Sequence, residues 1–239
     1  MNVEGSVALV TGANRGLGAR LVDRLLDAGV SKIYATARDP RSISDAVSAD
    51  PRVRTLALDV TDQASVDVAA KTATDVTLLV NNAGVLAFGS ALEGDLTLFQ
   101  RDVETNYVGL LRVSQAFVPV LTGNAPGAIV NVLTLIALAP VRGMAGYSAS
   151  KAAAHSITQS LRAELRDKGI DVFGAYPGGI DTDMLAGVDA DKAAPETVAQ
   201  RIVAGVAAGE SVIWPDDASA GAGAVYLGDP IALERMLAP

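Results

Sequence analysis

Val7-Ala8-Leu9-Val10-Thr11-Gly12-Ala13-Asn14-Arg15-Gly16-Leu17-Gly18 is the stretch that decides the fold of this chain. Its first four residues are apolar without a period of two, which suits a strand buried on both faces. Three glycines follow, and a helical pattern then runs over residues 17–27. Glycines after a strand let the backbone approach a pyrophosphate, and the amino terminus of the next helix stabilises the anion. Three glycines alone would also serve a turn without a ligand; the strand before and the helix after them favour the binding site.

Outward from this unit, further strands are predicted at 33–37, 53–58, 78–81, 128–133, 172–176 and 212–214. Helical patterns lie between them at 42–47, 64–72, 97–120, 147–168 and 196–207. Such alternation predicts an α/β fold, a doubly wound, seven-stranded, mainly parallel sheet with helices on both faces. No composition break divides residues 1–239, so one domain is expected. The Ala/Gly-rich stretch 218–224 is predicted as a loop and 231–237 as helix-like.

Composition narrows the chemistry. Of 239 residues 50% are hydrophobic and 19% charged, with a net charge of −8. An acidic surface repels phosphate backbones, so no nucleic-acid partner is expected. The absence of cysteine excludes disulfides, thiolate metal sites and a cysteine nucleophile, and a single histidine excludes a histidine metal cluster. No basic leader opens the chain, and the longest mostly apolar stretch, 129–141, is too short to span a bilayer. A cytoplasmic protein without a membrane partner is expected.

The second strand bears on the cofactor. An NAD site places an acidic residue about 20 positions past the glycine turn, to bind the ribose hydroxyl. Here Ala37 holds that position and Arg38 follows it; Arg15 lies in the turn itself. Two guanidinium groups suit the 2′-phosphate of NADP, so NADPH/NADP+ is the expected cofactor. Asp39 weakens the pattern, because it could pair with Arg38.

Tyr147 and Lys151, four apart, project from one helical face. A tyrosine titrates near pH 10; a neighbouring ammonium is expected to stabilise its phenolate and make it a usable acid near neutrality. Alone, this spacing is common in ordinary helices.

Five motifs in register change that judgement: Thr11-Gly12-x3-Gly16-x-Gly18, Asn81-Asn82-Ala83-Gly84, Asn106, Tyr147-x3-Lys151 and Pro177-Gly178-x3-Thr182. From residue 6 to about 215 the chain resembles the short-chain dehydrogenase/reductases, which implies a Rossmann-type domain. The resemblance implies that Tyr147 protonates a carbonyl oxygen while the cofactor delivers a hydride to the carbon. It gives Lys151 the nicotinamide ribose and the tuning of Tyr147, and Asn106 a water that resupplies protons. Gly12, Asn14, Arg15, Gly16, Leu17 and Gly18 would hold the pyrophosphate end. Asn82, Ala83 and Gly84 would close the cofactor floor. Asp59 and Val60 would lie beside the adenine, and Pro177, Gly178, Ile180 and Thr182 beside the nicotinamide.

One position departs from the family pattern. A serine usually stands 13 residues before the tyrosine; here it is Thr134. Its hydroxyl can still hold a substrate oxygen, but its methyl restricts the rotamer and takes room. His155, one turn beyond Lys151, has no evident acid partner and is expected to pack.

The expected pocket wall includes Val85, Phe88, Leu135, Met144 and Met184, which favours a small hydrophobic carbonyl substrate. Arg142 is the only cation expected nearby, and a short lid at about 183–194 suggests a permissive site. By the same resemblance, helices 97–120 and 147–168 would pair copies into a homodimer or homotetramer. The leading expectation is NADPH-dependent reduction of a ketone or aldehyde. The alternatives are an alcohol dehydrogenase working oxidatively and a non-catalytic, NADPH-binding regulatory protein.

Overall fold

The run 7–10 forms β1 (Val7–Val10), and its flanks alternate although every residue is apolar. Ala8 and Val10 join one side of the core and Leu9 the other. The computed structural model, which describes residues 1–237, places β1 inside a seven-stranded sheet. The other strands are β2 (Lys32–Ala37), β3 (Val53–Ala57), β4 (Leu78–Asn81), β5 (Gly127–Val132), β6 (Ile170–Ala175) and β7 (Val212–Ile213). Their order is β3-β2-β1-β4-β5-β6-β7, and every pairing is parallel, which sharpens the expectation of a mainly parallel sheet.

The chain winds outward from β1 to β3, then crosses back to lay β4 on the other side of β1. Connections leaving β1 and β4 therefore diverge at their carboxyl ends, and such a switch point opens the crevice where ligands of these sheets bind. The helices are α1 (Gly16–Asp27), α2 (Asp45–Ser48), α3 (Gln63–Thr72), α4 (Leu96–Val103) and α5 (Leu110–Gly123). They continue with α6 (Ala145–Leu165), α7 (Pro195–Ala208), α8 (Asp217–Gly228) and α9 (Pro230–Leu237). One side of the core joins Leu21, Val22 and Leu25 of α1 to Ile202 and Val206 of α7. The other joins Val66 of α3, Phe117 and Leu121 of α5, and Leu161 and Leu165 of α6. Burying both sides at roughly 25 cal/mol per Å² of apolar surface makes these two layers the main source of stability.

Two expectations are corrected. The predicted helix 97–120 is three pieces: α4, a π-helical turn over Glu104–Gly109, and α5. Hydrophobic periodicity does not register a one-residue widening of a helical turn. The predicted loop 218–224 lies within α8. Asp216 accepts from the Ser219 amide at 2.8 Å while the Ser219 hydroxyl engages the Asp216 backbone, a capping box that starts the helix. Gly223 is small because a β-carbon there would collide with the Trp214 ring. Among the described residues no helix is long and apolar enough to cross a membrane.

Candidate active site

The glycine turn is held from β4. Thr11 Oγ1 accepts from the backbone N–H groups of Asn82 and Ala83, each at 2.9 Å. Asn82 Nδ2 donates in turn to the carbonyls of Thr11 (2.9 Å) and Gly12 (3.1 Å). Gly12 has φ +64°, and a β-carbon there would stand 3.1 Å from Ala83 Cα, so both backbone and space require glycine. Asn14 is half-buried and Leu17 buried beside it, while Gly16 faces the Thr182 side chain and Gly18 presses on the Gly12 carbonyl. Arg15 is the N-cap of α1 and supplies no side-chain cap, which leaves the first amides of that helix open to an anion. Asn81 turns the other way and donates to Asn131 at 2.9 Å, riveting β4 to β5 inside the core.

At the end of β2, Asp39 is taken by Arg41 through two bonds of 2.9 Å. The expected competition between Asp39 and Arg38 is therefore absent, and Arg38 faces Asp59 electrostatically. Asp59 accepts from the Thr61 amide (2.9 Å) and hydroxyl (2.7 Å), and Val60 is buried with its carbonyl bound by Arg112 at 2.6 Å. Arg15 reaches across to the lid, where its guanidinium meets Asp183 at 3.0 Å.

Tyr147 and Lys151 leave the first turns of α6 on one side, both buried. Lys151 Nζ donates to the Val132 carbonyl at 2.9 Å and lies 5.9 Å from the Tyr147 ring centroid. Burial pushes the Tyr147 phenol up, and the charge of Asp102 adds to that shift. The expected acidification of Tyr147 is thus not met: burial and Asp102 both raise the phenol, and Lys151 is itself driven down to about 8 by burial. Asn106, within the π turn, is fully engaged. Its Oδ1 accepts from the Val85 amide, and its Nδ2 donates to the Val85 carbonyl and to Ser150 Oγ, all at 2.9 Å. Gly84 lies between Asn106 and Lys151, where a β-carbon would approach both.

Thr134 is buried at the end of β5, and its Oγ1 donates to the Pro177 carbonyl at 3.2 Å. That carbonyl also accepts from the Leu135 amide at 2.9 Å, zipping the loops after β5 and β6 together. Gly178 is held by Asp216, whose Oδ2 accepts from its amide at 2.9 Å. Ile180 bridges to Ala193, so the ends of the 183–194 lid are cinched together. Lys192 donates to the carbonyls of Leu185 (3.3 Å) and Val188 (3.0 Å), which adds a second cation to the Arg142 of the expected surroundings.

Sequence reasoning missed three contributors. Asp216 could have been found from the Asp-x-x-Ser cap, had 218–224 not been taken for a loop. Asp102, wholly buried on α4, carries no local signal. The α8–α9 pair packs Ala222 and Leu233 on Leu135 and Ala139, closing the side of the site beyond Thr134. His155 packs as expected, with Nδ1 2.7 Å from the Tyr176 hydroxyl.

The fold and its glycine turn define a doubly wound α/β domain of the Rossmann type, and comparison with known proteins assigns its family. Residues 6–193 match the short chain dehydrogenase family. An uncharacterized oxidoreductase of Staphylococcus saprophyticus is 31% identical over 198 residues, covering 79% of this chain and 84% of its own. The 3-oxoacyl-(acyl-carrier-protein) reductase of Vibrio cholerae is 33% identical over 204 residues, 84% of this chain and 83% of its own. A crystal structure of a short chain dehydrogenase from Burkholderia cenocepacia in complex with NADP superposes with a TM-score of 0.93. It is 38% identical and covers 99% of both chains. The chain belongs to the short-chain dehydrogenase/reductase family and is an oxidoreductase.

Proposed function

We propose that this protein uses NADPH to reduce a hydrophobic ketone or aldehyde to an alcohol, with Tyr147 as the general acid. The observation that carries the reading is the buried pair of Tyr147 and Lys151, with Lys151 Nζ 5.9 Å from the Tyr147 ring centroid and bonded to the Val132 carbonyl, two residues before Thr134, beside Gly84. Gly12 and Gly18 leave no room for side chains and α1 opens on uncapped amides, which supports dinucleotide binding, and Arg38, with Asp39 taken by Arg41, is the cation proposed for a 2′-phosphate together with Arg15. The B. cenocepacia relative, which shares the whole length of the chain, was solved with NADP.

When bound, NADPH supplies the hydride that reduces the carbonyl carbon. Tyr147 gives its phenolic proton to the carbonyl oxygen, so the product is a neutral alcohol and the tyrosine is left as phenolate. Lys151 balances that charge and, with Gly84 beside it, holds the ribose. Thr134 orients the substrate oxygen. Asn106 acts through its backbone, because its amide is already committed to Val85 and Ser150; the π turn offers the carbonyls for the proton-carrying water. Asn82, Ala83, Pro177, Gly178, Ile180 and Thr182 complete the cofactor walls, and Asp59 and Val60 border the adenine.

Exposed Phe88 and Met184 favour an apolar substrate. Exposed Leu96 and Val103 on α4 favour a homo-oligomer, which sedimentation would test. The intact proton-transfer groups oppose a purely regulatory protein, and the paired arginines oppose an NAD-linked oxidation. The test is NADPH consumption across a panel of hydrophobic ketones and aldehydes, with Tyr147→Phe alongside. Loss of the general acid is expected to cost about 100- to 10,000-fold. Full turnover by the variant would overturn the mechanism.

A further inference from the structure

The segment that follows the Asn82-Ala83-Gly84 turn is pinned at two points by one helical face. Asn106 holds both polar groups of Val85, and Asp102, four residues earlier, accepts from the Ala87 amide at 2.9 Å. Asp102 is wholly buried, and its other oxygen receives only Arg101 Nη2 at 3.4 Å. A buried carboxylate with one amide and one long guanidinium contact carries the general penalty for desolvating an ion with few contacts to offset it. A buried apolar residue would fill the same place at less cost, and charges kept in such surroundings cluster at functional sites.

Asp102 sits where α4 packs on the start of α6, with the Phe99 ring filling the space that a side chain on Gly146 would need. Around this contact, α4 offers Asp102 and Arg101, the π turn Glu104 and Tyr107, α5 Arg112, and α6 Tyr147 and Lys151. Glu104 is bound by Arg112 at 2.9 Å, and Arg101 is half-exposed. Asp102 is a wholly buried carboxylate of α4, the helix that packs along α6, which carries Tyr147 and Lys151, and its charge favours the protonated form of both.

We propose that Asp102 is a positioning residue of the active site that anchors the Val85–Ala87 strap and sets a fixed negative charge behind Tyr147 and Lys151. The inference rests on the reading of Tyr147 as the acid. A negative charge there opposes the phenolate and favours the ammonium, so both groups keep their protons to higher pH. The site is thereby biased toward donating a proton, which is reduction, and away from withdrawing one, which is oxidation.

The test compares wild type with Asp102→Asn and Asp102→Glu. Asparagine keeps an acceptor for the Ala87 amide and removes the charge; glutamate keeps the charge and displaces the anchor. The first readout is the titration of Lys151 by carbon NMR of labelled lysine, assigned with Lys151→Arg and independent of turnover. The second is the pH profile of reductive kcat/KM. In Asp102→Asn the Lys151 titration and the alkaline limb of the profile are both expected to move down by about one pH unit. In Asp102→Glu the Lys151 titration is expected to stay near wild type while KM for the carbonyl rises several-fold. If the asparagine variant does not fold, a Lys151 titration displaced in the glutamate variant overturns the proposal. An unchanged Lys151 titration in a folded Asp102→Asn protein also overturns it. A lowered titration, with turnover surviving Tyr147→Phe, would overturn the acid reading and leave the placement of the charge supported.

Discussion

Thr134 gives its hydroxyl proton to the Pro177 carbonyl at 3.2 Å, so that proton is engaged within the protein. To hold a substrate carbonyl the hydroxyl must release that bond and redirect its proton, beside a methyl group that takes room. Thr134→Ser is therefore expected to raise kcat/KM modestly, because serine keeps the hydroxyl and returns the space of a methyl group. Thr134→Val, nearly isosteric, is expected to lower kcat by roughly 10- to 100-fold, the worth of one strong hydrogen bond in the transition state. Steady-state kinetics on a common ketone decide the matter; equal rates for threonine and valine would remove this residue from the mechanism.

Cofactor choice is expected to depend on Arg38 more than on Arg15. Asp39 is occupied by Arg41, which leaves the Arg38 guanidinium to an incoming phosphate. Arg15 is shared with Asp183 of the lid at 3.0 Å. Arg38→Ala is expected to weaken NADPH by about 10- to 100-fold while changing NADH little, as befits a lost charge-assisted contact. Asp183→Asn frees Arg15 from an exposed ion pair and is expected to tighten NADPH by only about two- to five-fold. Dissociation constants for both cofactors, measured at two salt concentrations, check both expectations.

Lys151 ties stability to pH. Burial lowers it from 10.5 to about 8, and the charge of Asp102 opposes that shift. Below pH 8 both folded and unfolded chains carry the proton, and the cost of the buried charge is fully present. As pH rises further the folded chain releases the proton before the unfolded one, so this group adds stability. Over the two units above pH 8 the gain is on the order of 2 kcal/mol. Above pH 10 the raised Tyr147 acts in the opposite sense, so the comparison stops there. Denaturant unfolding is expected to show wild type gaining stability relative to Lys151→Met across that window. Parallel pH curves for the two proteins would contradict the burial of a charged lysine.

Much of this site is legible in the sequence because it is built of local units. The glycine turn lies between its own strand and helix, and Tyr147 and Lys151 share a face by simple helical spacing. What was not legible depends on contacts across the chain. Asn106 was visible as a residue, but its engagement with Val85 and Ser150 appears only when three elements meet. The desolvation of Tyr147 belongs to the packed core, so spacing alone gave the wrong sign for its shift. The helix α8 was hidden because its small residues look like a loop until Trp214 is placed against Gly223.

Asp216 joins that hidden helix to the loop after β6. One oxygen accepts from the Ser219 amide at 2.8 Å to start α8, and the other accepts from the Gly178 amide at 2.9 Å. Because Gly178 follows Pro177, whose carbonyl binds both Leu135 and Thr134, one carboxylate fixes the loops after β5 and β6, the proposed nicotinamide wall. Asp216→Ala leaves the buried Ser219 amide and the half-buried Gly178 amide without their acceptor, at a cost of about 1–3 kcal/mol for the first and less for the second. The helix α8 also loses its cap, worth about 1 kcal/mol. The variant is expected to melt several degrees lower and to bind NADPH about ten-fold more weakly, whereas Asp216→Asn, which keeps one acceptor, falls between. Trp214, the only tryptophan and two residues from Asp216, gives a fluorescence signal for both measurements. If the alanine variant loses stability but binds the cofactor as wild type does, Asp216 serves the helix alone and the Gly178 bond has no part in holding the nicotinamide.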